Sequence, residues 1–226
     1  MCGRYNIIDD PFVQALLKTL GVDMGSLPTR FNIAPTEQVP VVHELDGDRR
    51  LSDMRWWLVP SWSSGPNQKY AMFNARAESI LSSRAYGKPF ERQRAIIPAS
   101  SFIEWQKTAD GKQPLMIESG AGVWAFAGIW DCWQGGDEPL YSCSIITKAA
   151  TSEFSALHNR MPICLSEGDY AQWLDNKTPL SEVLPLLAKD STALLKVTEL
   201  NTAVNNARNK GIPIPVGDAI YINKTH

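Results

Sequence analysis

RAIIPASSFIEWQKTADGKQPLMIESGAGVWAFAGIWDCWQGGDEPLYSCSIIT, residues 94–147, is the stretch whose reading decides the fold. Apolar, β-branched and aromatic residues recur in five short runs: Arg94–Pro98, Ser101–Lys107, Leu115–Glu118, Val123–Trp130 and Leu140–Thr147. Asp110-Gly111-Lys112 and Gly135-Gly136-Asp137 punctuate them as turns, so the run reads as consecutive strands. Upstream, Val39–Leu45 and Leu51–Val59 flank Asp46-Gly47-Asp48, a hairpin signal. Downstream, Leu194–Thr198 and Ala219–Ile222 are expected as late strands. Arg30-Phe31-Asn32-Ile33-Ala34-Pro35 is too irregular for a helix.

Helices are expected at the margins. Asp10 and Pro11 form an N-cap and a first-turn proline, Phe12, Leu16, Leu17 and Leu20 follow at helical spacing, and Gly21 stops the run. Asn74 opens a second helix to about Tyr86, with Gly87 after it. Ser152–Leu157 is a short third one. Ser166 with Asp169 has capping-box spacing and opens a helix through Trp173 and Leu174. Another spans Ser181–Leu187. Strands outnumber helices and do not alternate with them. This predicts an α+β fold, a single compact β-rich domain over residues 1–226 with peripheral helices.

The 226 residues carry a net charge of −2, so any nucleic-acid role must rest on a local basic face. Arg76, Arg84, Lys88, Arg92 and Arg94 against Glu78 and Glu91 form the best candidate, either a binding surface or a solvated helix face. Cys2, Cys132, Cys143 and Cys164 show no CxxC spacing and no histidine pair, which argues against zinc. No signal peptide and no apolar run of about 18 residues is present, so a cytoplasmic protein with reduced thiols is expected. Phosphate loops, GxSxG, HExxH and DxD-type pairs are missing, and no cofactor or metal is expected.

Few residues are left for chemistry. Removal of Met1 would leave Cys2 with a free α-amine and a thiol on adjacent carbons. An α-amine titrating near 8 is substantially neutral, hence nucleophilic, at physiological pH. Such an aminothiol condenses with an aldehyde to an imine and closes to a thiazolidine; equally, Cys2 is simply a small second residue. Glu104, within Phe102-Ile103-Glu104-Trp105, faces either solvent or a lined pocket, where its pKa would rise. His158 has the loop setting that His43 and His226 lack, and is either a proton carrier or structural. Asn74 reads as a helix N-cap or as a polar site residue. Trp62 sits in the Pro60–Lys69 loop, to pack or to stack on a ligand. One of Trp56 and Trp57 is expected in the core, because strand neighbours face opposite ways.

Taken in order, Cys2-Gly3-Arg4-Tyr5, Arg30-Phe31-Asn32-Ile33-Ala34-Pro35, Asn74-Ala75-Arg76-Ala77-Glu78, Phe102-Ile103-Glu104-Trp105, Thr147 and Leu157-His158-Asn159-Arg160-Met161-Pro162 resemble the SRAP (SOS response-associated peptidase) family over nearly the whole chain. The resemblance implies sensing of abasic sites in single-stranded DNA and their capture as a covalent thiazolidine crosslink in the DNA damage response. It implies Cys2, Asn74, Glu104 and His158 as the catalytic set. It implies Arg4, Arg76, Thr147 and Arg160 on the phosphate-binding surface, with Trp62 stacking on bases. A monomer, associated with the nucleoid when DNA-bound, goes with that reading. Two other readings stay open: a cysteine-type peptidase that removes its own Met1, and a non-catalytic binder of modified DNA.

Overall fold

The computed structural model describes residues 2–22, 27–67, 69–191 and 193–222; Met1 and His226, both invoked above, lie outside them. The chain begins with β1 (Arg4–Ile7), α1 (Pro11–Thr19), β2 (Arg30–Ile33), β3 (Gln38–Leu45), β4 (Asp48–Arg55) and β5 (Asn74–Arg76). It continues with α2 (Gly87–Arg92), β6 (Arg94–Ala99), β7 (Ser101–Thr108), β8 (Gly111–Ser119), β9 (Trp124–Trp133) and β10 (Leu140–Ala149). Last come β11 (Arg160–Pro162), α3 (Tyr170–Leu174), α4 (Leu180–Ala188), β12 (Leu195–Glu199) and β13 (Ile220–Ile222).

One sheet has the order β13-β12-β8-β7-β1-β2. The other runs β11-β10-β4-β3-β6-β9, and β9 also pairs with β10, so its five central members close into a ring. β10 is the hub of that ring. It holds β9 and β11 antiparallel, and β4 and β5 parallel. The β3–β4 hairpin turns at Asp46 and Gly47, with φ of 56° and 87°. Positive φ at both central residues is what a tight hairpin turn needs.

Core aromatics lock the two sheets together. Tyr5 of β1 meets Trp56 edge-on at 5.3 Å and Phe126 of β9 at 6.4 Å. Phe102 of β7 lies 5.8 Å from Phe126 and stacks on Phe154 at 6.1 Å. Trp56 is the core tryptophan of its pair and Trp57 is half-buried, although both lie past the end of β4 and outside its alternation. The α+β expectation holds, and so do α1 and its cap, where the Asp10 carboxylate accepts from the Phe12 and Val13 amides at 2.9 Å.

Several expectations fail. Asn74 opens a strand, not a helix: β5 pairs in parallel with β10, Ile145 facing Asn74 and Thr147 facing Arg76. A single 3₁₀ turn (Ala77–Ser79) follows, and Gly87 starts α2 instead of ending a helix. A Cβ at Gly87 would meet the Leu81 carbonyl oxygen at 2.8 Å, so that glycine marks a close backbone approach. Ser152–Leu157 forms turns, and Ser166 makes no side-chain cap. The second hairpin strand stops at Arg55, because Trp56 exchanges backbone hydrogen bonds with Thr36 and Glu37 instead of continuing the ladder. Arg94 leaves the basic face altogether. It is buried, and its guanidinium donates to the carbonyls of Phe90, Glu91, Trp173 and Asp175.

Candidate active site

Alternation along β7 puts Phe102 and Glu104 on one face, Ile103 and Trp105 on the other. Phe102 anchors the aromatic core, so Glu104, two residues on, lies at the margin of that core and is only 2% exposed. The turns at 151–157 close over this margin and deliver His158, whose Nδ1 lies 3.7 Å from Glu104 Oε1. The same Nδ1 meets the backbone amide and carbonyl of Arg160, at 3.1 and 3.0 Å. That contact fixes the ring against the start of β11. Burial raises the Glu104 carboxyl above the ordinary carboxylate range.

Cys2 precedes β1 and is fully buried. Asn74 Nδ2 donates to its carbonyl at 2.9 Å, which explains why β5 has to exist: it brings Asn74 to the N-terminus. Asn74 Oδ1 is buried and finds no hydrogen-bond partner among the described residues. Burial first, and then the nearby Glu104 carboxylate, push the Cys2 thiol well above its usual range. The sulfur is thus held as a neutral thiol. Cys2, Asn74, Glu104 and His158 form one constellation. His43 is no rival to His158: it is buried, Nε2 meets Ser52 Oγ at 3.0 Å, and burial pulls its pKa down to about 4.

The residues expected on phosphate are not gathered as one set. Thr147 of β10 and Arg160 of β11 do meet, Arg160 donating to Thr147 O at 2.7 Å and Oγ1 at 3.1 Å. The Arg160 fork also grips Glu78 at 2.6 and 3.0 Å, and that contact holds the Glu78 carboxyl down at about 2. Arg76 faces Thr147 in register and is exposed. Trp62 is 52% exposed, with the Arg84 guanidinium 4.0 Å over its ring and its indole N–H on the Arg84 carbonyl. Arg4 points elsewhere. It donates to Val204 O at 2.8 Å and to Asn32 Oδ1 at 3.1 Å, and lies 5.5 Å from the Trp105 ring.

Asn32 is a residue the sequence reading passed over. It is fully buried with φ of 50°, a conformation asparagine tolerates better than most residues. Its amide reaches the carbonyls of Val204, Asn206 and Asn209 at 3.2, 3.0 and 2.9 Å. Asn205 in turn accepts from the Trp105 indole at 2.7 Å. Asn32 therefore ties the 202–209 segment against Arg4 and Trp105, at one wall of the site. Asn32→Ala is expected to lower the unfolding free energy by about 3 kcal/mol, because buried carbonyls lose their donor. Denaturant titration measures this, and a loss below about 0.5 kcal/mol, the usual scale of surface changes, would show that Asn32 holds nothing. The signal in the sequence was a lone asparagine inside an apolar run.

Among the described residues no helix is long and apolar enough to cross a membrane. The sequence profile of the SOS response associated peptidase (SRAP) family matches residues 1–207. The abasic site processing protein YoaM of Bacillus subtilis is 32% identical over 224 residues, covering 92% of this chain and 96% of that protein. The abasic site processing protein HMCES of Gallus gallus is 34% identical, covering 85% of this chain and 68% of its own. A crystal structure of a phage-related protein from Bordetella bronchiseptica superposes with a TM-score of 0.72 at 22% identity, over 88% of this chain and 94% of that one. Profile, relatives and fold agree: the chain belongs to the SOS response associated peptidase family.

Proposed function

We propose that this protein captures abasic sites in single-stranded DNA as a covalent thiazolidine through Cys2, once Met1 has been removed, and so shields the lesion during the DNA damage response. The observation that carries the reading is Asn74: its amide holds the Cys2 carbonyl while Oδ1 is left buried and unpartnered. A buried acceptor without a donor is costly, and a hydroxyl of a baseless sugar supplies one. The relatives' names, abasic site processing proteins, support the same substrate.

The opened sugar presents an aldehyde, and the Cys2 amine adds to it and expels water as the imine forms. The thiol then adds across the C=N bond: sulfur bonds to carbon, and nitrogen takes the proton the sulfur gives up. Glu104 carries protons in these steps, and a carboxyl whose pKa is raised by burial is better suited to returning a proton it has taken. His158, set against Glu104, serves the sugar hydroxyl that ring opening releases. Arg76, exposed opposite the buried Thr147 that Arg160 grips, holds a flanking phosphate, and Trp62, backed by Arg84, offers its open side to a base, a contact worth roughly 1–3 kcal/mol.

Mixing the Met1-free protein with abasic single-stranded DNA should give a shifted band on a denaturing gel without added reductant. A protein whose Met1 is kept by an N-terminal tag should give none. If both run as free DNA, the covalent reading is wrong, and a non-catalytic binder remains if retention on a native gel persists. Turnover of added peptides would instead favour the peptidase reading.

A further inference from the structure

The mouth of the Glu104–His158 site is an open cleft of about 440 Å³, and the tip of the β7–β8 hairpin forms part of its rim. Lys107 and Lys112 line that cleft along with Glu104, Trp105, His158 and Asn159. The hairpin register places Lys107 directly opposite Lys112. Like charges facing each other across an antiparallel pair are unfavourable. Both side chains are exposed. The hairpin does not hang loose, since Gln106 Nε2 donates to the Ala156 carbonyl at 2.8 Å and pins it to the turns that carry His158.

We propose that Lys107 and Lys112 form a phosphate-binding subsite, which takes a phosphodiester of the nucleic-acid strand leaving the lesion pocket. The inference rests on the reading of the cleft as the abasic-site pocket, and extends it to two residues outside the catalytic set. The protein as a whole is slightly acidic, so a polyanion is drawn in only by local cation pairs. Two lysines directly opposite each other at a cleft mouth can converge on one phosphate, and binding an anion offsets the repulsion between them. The pair reads no base, so the subsite is indifferent to sequence.

The test is the double variant Lys107→Gln/Lys112→Gln, compared with wild type for crosslinking of abasic single-stranded DNA and for binding of undamaged oligonucleotide across a salt series. The half-saturating DNA concentration should rise about tenfold, with the rate at saturation unchanged. The slope of log affinity against log salt should become shallower by about 0.7, the value for one phosphate contact on a single strand. The thermal midpoint should stay level or rise, because a repulsive pair has been removed. Unchanged half-saturation and an unchanged slope would overturn the subsite. So would a lower rate at saturation with an unchanged half-saturation. A wild-type protein that forms no crosslink indicts the reading of the pocket itself, whereas a wild type that crosslinks beside an indistinguishable double variant indicts only the lysines.

Discussion

Cys2→Ser should form no stable adduct with abasic DNA, yet still be trapped on it by borohydride. The substitution keeps the α-amine, so the imine forms and can be reduced, but a hydroxyl is a far weaker nucleophile than a thiol and the ring does not close durably. The fold should tolerate the change, since the thiol's hydrogen bond to the Arg4 carbonyl is a long one, 3.9 Å. Denaturing gels with and without reductant separate the two steps. A heat-stable band from the serine variant without reductant would remove the thiol from the chemistry. Loss of the borohydride-trapped band as well would show that Cys2→Ser disturbs the amine or the pocket and not ring closure alone.

Glu104→Gln should slow crosslinking by roughly 10²-fold or more, the scale of a positioned acid–base group, while making the protein more stable at neutral pH. Both effects follow from one buried carboxyl. Its folded pKa is raised by burial, so the native state keeps the proton to higher pH than the unfolded chain does. The stability this contributes is fully present below the ordinary carboxylate range and is lost as pH rises through the raised folded value. Glutamine stays neutral throughout and avoids that loss. Wild-type crosslinking should therefore show an acid limb displaced above the ordinary carboxylate range, and the variant should lack it. Thermal melts at acid and neutral pH, run beside a pH–rate profile, measure both. A variant that keeps the same limb would shift the proton transfer to His158 or to another group.

Much of this was legible in the chain because strands and short turns write themselves locally. Asp46-Gly47 and the Asp10-Pro11 start carry their own geometry, and the structure reproduces them. Asn74 was misread for the opposite reason. Its segment has helix-compatible residues, but three hydrogen-bonded positions along β10, a strand about seventy residues later, override local preference. Glu104 could be placed on a strand but not on a side, since the face depends on which partners cover it. The turns at 151–157 decide that, and they were themselves misread as a helix. Arg94 shows the same limit for charge: a run of cations looks like a surface until the carbonyls that claim each guanidinium are known.

The Asn32 tether has a consequence for how the protein is made. Arg4 and Val204 are 200 residues apart, and Asn32 and Asn209 are 177 apart. At about 5–20 residues per second, a ribosome needs on the order of 10 to 40 s to supply those last partners after the first strand has emerged. The N-terminus is thus synthesised first, but the wall formed by Arg4, Trp105 and the 202–209 segment is completed among the last. For that interval the first strand stands without the last segment that Arg4 and Asn32 hold, so the order of synthesis runs opposite to the order in which this wall is closed.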